Sequence, residues 1–345
     1  MMIEVICQKS PDKPDRANED AFVAYQRDDG QPQIVVAAID GATSLARFAP
    51  LQGYLDQERN GITPAGFAAT VARDAMMAHL GATDVSNDDV DPKQLIMAAN
   101  ETLRQLLDQV APQIFDAKQL LSVQSEYAAL LDDPRKIRLF LPAAVLTVAT
   151  IDTEVGLIRF AHAGDTALLV CYEDGHVEVP TQNHVDMNYE SALAMASKVV
   201  LKEGQSMLDA VNDPFIRALD RDHRIYHNYV DENGKTAPKQ GTGVVDGLPQ
   251  LEDYIMTGMV MMAGVEAVIT VSDGFLWPSP LHETIAQRQA RLDRMWDNIR
   301  KKGVRGYVSM LRAEEQADTN REKYPRFKLH DDATGVVFWL NDTLN

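Results

Sequence analysis

The acids in this chain that could do chemistry stand where strand-like runs meet turns. Asp40, followed by Gly41, closes the apolar run from Gln33 to Ile39, and Asp273, followed by Gly274, closes the run from Ala267 to Ser272. Asp20 and Asp331 stand just ahead of two further runs, at 21–25 and 334–340. An acid at the end of a buried strand costs folding free energy unless its charge is compensated. A glycine after it permits a close backbone approach or a sharp turn. In an antiparallel sheet alternate strands run opposite ways, so two strand starts and two strand ends reach one rim. Carboxylates gathered there repel one another unless cations lie between them. Oxygen-only ligation suits Mg²⁺ or Mn²⁺. Two such ions sharing a water turn it into a nucleophile for in-line attack on phosphorus. Each Asp taken singly is also an ordinary turn former; their joint arrangement is what points to a cation site.

The elements that must position these acids follow from periodicity. Residues 2–8 alternate apolar and polar side chains, as a strand does. Residues 9–17 are polar and broken by proline, hence a loop carrying Lys13 and Arg16. Strands at 21–25 and 33–39, with Asp28-Asp29-Gly30 as the turn, form a hairpin, which sets Asp20 and Asp40 at the same end. From Thr43 to about Leu131 the pattern is helical. Thr63-Pro64 and Asp91-Pro92 are helix starts, and Leu95, Ala99, Leu103, Leu106 and Val110 form one apolar face. A further helix is expected over 119–131. Strands resume as an antiparallel meander at 143–151, 157–161 and 167–172, with a tight turn at His162-Ala163-Gly164-Asp165-Thr166. Residues 191–211 read as helix interrupted near Gly204, and 220–240 as a surface loop. The stretch from Gly241 to Pro249 is glycine-punctuated but lacks the strand-to-helix setting of a dinucleotide loop. Helices are expected over 281–302 and 304–315, then a basic loop over 321–329. The organisation is one domain over 1–345, with a helical insertion at about 62–131 and a possible flap at about 212–250.

Bulk properties bound the function. Of 345 residues, 45% are hydrophobic, enough for a sizeable core, and the formal net charge of −18 disfavours nucleic acid and anionic membrane as partners. The two cysteines, Cys7 and Cys171, build no disulfide framework or zinc spacing and read as small buried thiols. No run reaches the roughly 20 apolar residues that span a bilayer. The first residues carry an early acid and no long apolar region, so a cytoplasmic location is expected.

Six short motifs run in order along the chain: Asn18-Glu19-Asp20, Ile39-Asp40-Gly41, Ala163-Gly164-Asp165-Thr166, Thr181-Gln182-Asn183-His184, Val271-Ser272-Asp273-Gly274 and Asp331-Asp332-Ala333-Thr334. Together they resemble the metal-dependent type 2C serine/threonine protein phosphatases, in a divergent bacterial-type form. The resemblance implies an α+β fold of four layers, two antiparallel sheets flanked by helices. It implies two Mn²⁺ or Mg²⁺ ions, with a third at a weaker site, and a phosphorylated protein as substrate. By the same resemblance Asp40 bridges two ions, Gly41 offers its carbonyl, and Asp273 and Asp331 complete one shell. Glu19 and Asp20 bind directly or through water, and Asp165 joins Asp273 at the third ion.

Two departures from the family pattern bear on activity. Ala42 stands where some members carry a histidine proposed as general acid. The phosphate-holding arginine is displaced by one residue, which makes Arg16 the candidate and Lys13 its rival. A catalytically weak or inactive pseudophosphatase acting as a regulatory binding module, and a hydrolase of a small phosphorylated metabolite, therefore stay open beside the protein phosphatase. Among other residues, His162 and His184 are expected in structural roles. The pair His223 and His227 lies in a segment that does not read as helical. Met259, Met261 and Met262 are expected as core filler, and Trp277 is expected to pack on the following helix.

Overall fold

The computed structural model describes residues 1–27, 33–42, 46–82, 90–129, 131–183 and 186–340, without the side chains of 186–190, 201–203 and 220–223. The expected turn at 28–30 and His184 lie outside the described residues, as does the side chain of His223.

The central strands are apolar on both faces, so both faces must be covered. One antiparallel sheet contains β2 (Ala21–Gln26), β3 (Gln33–Ala42), β4 (Ala143–Asp152), β5 (Leu157–Ala163) and β8 (Met256–Met261), in the order β2-β3-β4-β5-β8. The other contains β1 (Met2–Gln8), β6 (Ala167–Tyr172), β7 (Val177–Glu178), β9 (Val265–Val271) and β10 (Ala333–Trp339), in the order β1-β10-β9-β6-β7. Along β3, Val35, Ala37 and Ile39 join the cluster under the helices, while Ile34 and Val36 join Phe160, Leu168, Val268, Val336 and Phe338 between the sheets. Period-two alternation therefore sends Asp40 to the inner face of the sandwich, at its end.

Helices α1 (Ala49–Glu58), α2 (Pro64–Ala82), α3 (Pro92–Val110) and α4 (Ala117–Val123) cover the outer face of the β3 sheet. Thr63 Oγ1 accepts from Gly66 N at 3.1 Å, and Asp91 Oδ1 from Lys93 N at 2.9 Å, satisfying amides that the first turns of α2 and α3 leave open. The first helix begins at Ala49, within the helical pattern read from Thr43, and the helix expected over 119–131 ends at Val123 and is followed by a 3₁₀ turn. On the other outer face lies α8 (Ile285–Ala317), which packs Trp296, Ile299, Tyr307 and Leu311 against β9 and β10. It is broken at Gly303, where φ is +70°, in agreement with two helices read from the sequence. Trp277 packs against Tyr307 of this helix, ring centroids 6.1 Å apart. The result is an α+β sandwich of four layers.

Between β7 and β8 stand α5 (Asp186–Glu203), α6 (Met207–Asn212) and α7 (Pro214–Asp222), which form a small cluster of their own with Phe327. The surface character expected for 220–240 is found at 232–235 and 238–240. Residues 241–247 are buried instead: Asn228 Nδ2 donates to Val244 O at 2.7 Å, and Asn100 Oδ1 accepts from the amides of Asp246 and Gly247. The methionines correct another expectation. β8 is an edge strand, so Met259 and Met261 point outward and are exposed, while Val260 and Met262 pack against the core between the sheets. No helix among the described residues is long and apolar enough to cross a membrane.

Candidate metal centre

The register of two strand pairs assembles the acids. Ala21 faces Ile39, so Asp20 and Asp40 lie side by side at the end of the β2–β3 pair. In the other sheet Gly335 faces Val271, and Ser272 N donates to Thr334 O at 2.9 Å, which brings Asp273 to the turn carrying Asp331 and Asp332. The acids therefore come from both sheets and straddle the sandwich edge, not the rim of a single sheet. The reason is that β9 and β10 stack on the β3 sheet instead of joining it. Asp165 arrives on the turn from β5 to β6, which crosses between the sheets. Gly164 makes that turn with φ +106°, and a Cβ there would lie 2.2 Å from Val145 Cγ1.

Neighbouring groups orient the acids. Ser272 Oγ donates to Asp20 Oδ2 at 2.8 Å and accepts from Thr334 N at 2.9 Å. Thr63 Oγ1 donates to Glu19 Oε1 at 2.7 Å, and Lys13 Nζ approaches Glu19 Oε2 at 3.4 Å. Asp332 accepts from Ser10 N at 2.6 Å and Glu19 N at 2.8 Å, tying the turn before β10 to both ends of the loop between β1 and β2. Backbone packing is equally close. A Cβ on Gly41 would lie 2.6 Å from both Ala65 O and Glu19 O, and one on Gly274 would lie 1.9 Å from Asp332 O.

Crowding raises three of the carboxyls. Burial pushes Asp40 well above the usual carboxylate range, and repulsion from Asp20, Asp273, Asp331 and Asp165 adds to it. Burial does the same to Asp20, opposed by the Ser272 hydroxyl and reinforced by Asp332, Asp331 and Asp273. Asp273 touches solvent at the mouth of the site, yet protein packed around it raises its carboxyl, with Asp331 adding repulsion. Asp40 lies near enough to Asp273 for the two carboxyls to influence each other, although they come from different sheets.

One cation also stands in the cluster. Lys328 Nζ donates to Asp331 Oδ2. Burial opposes its charge, but Asp331, Asp273 and Asp40 outweigh that and hold it protonated far into the alkaline range. Sequence reasoning passed over Lys328, although its position three residues before Asp331 was a usable signal. Ser272, Thr63 and Asp332 were also missed as orienting groups; two of them lie inside the quoted motifs and the third is a helix cap. Of the two candidate phosphate ligands, Lys13 lies against Glu19, whereas Arg16 is exposed on its loop. His162 is buried near the end of β5, with Nδ1 2.9 Å from Thr147 Oγ1 and Nε2 2.8 Å from Gln182 O.

Among the described residues, no three His, Cys, Asp or Glu side chains form a ready-made cage for an ion. The Ser272 hydroxyl on Asp20 and the Lys328 ammonium on Asp331 hold those two carboxylates in place. The available donors are nevertheless carboxylate oxygens, the set preferred by hard divalent ions, and their mutual repulsion is what a bound cation relieves. The residues fit Mg²⁺ or Mn²⁺.

No protein-family model matches the chain, and no curated protein matches it by sequence. Solved structures do share its fold. A bacterial serine phosphatase aligns with a TM-score of 0.51 at 12% identity, over 99% of this chain and 98% of that one. RsbX in complex with magnesium (TM-score 0.43, 11% identity, 97% of this chain and 92% of that one) is less similar, as is the Mycobacterium tuberculosis serine/threonine phosphatase PstP/Ppp (TM-score 0.44, 13% identity, 97% of each chain). Those two carry no further argument. Identity this low speaks to fold, and activity has to be argued from the site. The chain thus shares the fold of a bacterial serine phosphatase, the α+β sandwich that the six motifs imply.

Proposed function

We propose that the chain is a metal-dependent phosphoric monoester hydrolase acting on phosphoserine or phosphothreonine in proteins. The observation that carries this reading is the convergence of Asp40 and Asp20 from one sheet with Asp273 and Asp331 from the other, close enough, with Asp165, to repel Asp40. Asp20, Asp40, Asp273 and Asp331 would hold the ions, with Glu19 in support, Gly41 lending its carbonyl oxygen, and Asp165 beside Asp273 at a third position. Bound there, Mn²⁺ or Mg²⁺ supplies an activated water and neutralises charge on the phosphoryl group.

The chain's own residues do the rest. Ser272 and Thr63 fix the Asp20 and Glu19 carboxylates, so little reorganisation is needed when a dianionic substrate arrives. Lys13 or Arg16 on the adjoining loop would hold phosphoryl oxygens by charge-assisted hydrogen bonds. Ala42 has no proton to give, so none of the chemistry is assigned to it. The test is turnover of p-nitrophenyl phosphate with Mn²⁺, with chelator, and in Asp40→Asn. Activity that survives both chelation and this substitution would sink the reading. A phosphopeptide panel set against a panel of small phosphorylated metabolites then decides the substrate class.

A second reading, a catalytically weak regulatory module, is favoured by the Lys328 ammonium on Asp331 together with Ala42. No Mn²⁺ binding by calorimetry at millimolar metal would select it.

A further inference from the structure

The backbone around Lys328 is fixed on both sides. Arg326 Nη1 donates to Asp318 Oδ2 at 2.7 Å and Arg326 Nε to Leu329 O at 3.1 Å. Phe327 is buried in the α5–α7 cluster, and Arg217 Nη2 of α7 donates to its carbonyl at 3.0 Å. On the other side His330 N donates to Asp12 Oδ2 at 3.0 Å, and Arg312 Nη2 donates to Asp331 O at 2.6 Å. From this anchored point the Lys328 side chain, which is 48% exposed, reaches the Asp331 carboxylate. Asp331 is thereby engaged at both oxygens, Oδ1 accepting from Asp332 N at 3.0 Å and Oδ2 from Lys328.

We propose that Lys328 is a tethered counter-cation, seated in the carboxylate cluster, which competes with a divalent ion for Asp331 and thereby sets metal affinity. The proposal rests on the metal-dependent reading of the site. Three features support it. First, the oxygen that accepts from the ammonium is one an ion would need. Second, tethering keeps the ammonium at high effective concentration while its backbone stays pinned. Third, the side chain as a whole is about half exposed, so its head can turn to solvent when it leaves, since a lysine stem is flexible where an arginine fork is rigid. The ammonium also offsets repulsion among Asp331, Asp273 and Asp40.

The experiment is a calorimetric Mn²⁺ titration of the full chain and of Lys328→Met and Lys328→Arg, with circular dichroism to check folding. Lys328→Met is expected to bind Mn²⁺ about tenfold more tightly, because the competing cation is gone. Lys328→Arg, which keeps the charge, is expected to bind no more tightly than the unsubstituted protein. In chelator, Lys328→Met should melt at a lower temperature, and Mn²⁺ should remove the deficit. Equal or weaker Mn²⁺ binding by a folded Lys328→Met overturns the proposal while leaving the metal site standing. If Lys328→Met does not fold, Mn²⁺ binding by Lys328→Arg tighter than in the unsubstituted protein overturns it. Absence of Mn²⁺ binding in all three proteins overturns the metal-dependent reading and this proposal with it.

Discussion

Ser272 Oγ, at the end of β9 in one sheet, donates to Asp20 Oδ2, at the start of β2 in the other, over 2.8 Å. The same hydroxyl accepts from Thr334 N, so its proton is directed at the carboxylate. This bond fixes the orientation of one prospective ligand relative to the acids of the opposite sheet. Ser272→Ala is expected to cost about 1–3 kcal/mol of stability, as for a buried hydrogen bond to a charged group. It should also weaken Mn²⁺ binding roughly tenfold or more, as loss of an orienting partner does. Urea denaturation and a Mn²⁺ titration measure the two effects. An unchanged affinity would mean that Asp20 needs no such orientation.

Gly41 is wedged between two carbonyl oxygens, with no room for a side chain. Gly41→Ala forces Ala65 or Glu19 to move and should cost about 1–3 kcal/mol, the usual range for overpacking. Because Glu19 and Asp20 move with it, p-nitrophenyl phosphate turnover should fall more than stability alone accounts for. Rates measured well below the melting temperature test this.

Asp246 offers a pH test away from the metal ligands. It is buried, and burial pushes its carboxyl from 3.8 to about 7 against the opposing pull of Leu248 N, Arg138 and Asn228. Because the folded value is the higher one, the folded chain binds more protons between these limits. Its contribution is complete below the unfolded value and is lost as pH rises through the folded value. The loss is on the order of 1 kcal/mol per pH unit in that window. Asp246→Asn should remove this slope, so thermal unfolding followed from acid to neutral pH should show the two proteins diverging. Parallel curves would place the titration elsewhere.

Asn228 holds the buried segment that carries Asp246. Its Nδ2 donates to Val244 O and Asp246 Oδ1, its Oδ1 accepts from Val244 N, and its φ is +43°. Asn228→Ala leaves those groups unpaired in a left-handed backbone conformation and should cost about 2–4 kcal/mol. Chemical denaturation reads this directly, and a cost under about 0.5 kcal/mol, the size of an ordinary surface change, would contradict it.

The two loop cations make separable predictions. Lys13 lies against Glu19 and Arg16 faces solvent. Lys13→Ala should therefore lower kcat/KM for p-nitrophenyl phosphate by roughly tenfold, the size expected for one charge-assisted hydrogen bond. Arg16→Ala should change it by less than about threefold, as befits an exposed charge. The reverse order would show that the loop closes on substrate through Arg16.

Much of the architecture was legible along the chain. The strand runs, the helix starts at Thr63-Pro64 and Asp91-Pro92, and the break at Gly303 all follow from local chemistry. That chemistry is alternation, capping, and the conformational freedom of glycine. The neighbouring positions of Asp20 and Asp40 followed too, because a short hairpin leaves little choice of register. Edge position was not legible: Met259 and Met261 look like core residues until the strand order makes β8 the last strand of its sheet. Nor was the burial of 241–247, which depends on Asn100 and Asn228 reaching it from distant segments.

The sequence by itself determined which acids end strands and which glycines follow them, since these are properties of neighbours in the chain. Only the tertiary structure decided that Asp273 and Asp331 meet Asp20 and Asp40 across the gap between two sheets, and that Lys328 reaches Asp331 among them. Periodicity tells a strand which way its side chains point. Which sheet the strand joins depends on long-range stacking of apolar faces. The charge balance of the site depends on that stacking, because it determines how many carboxylates share one site.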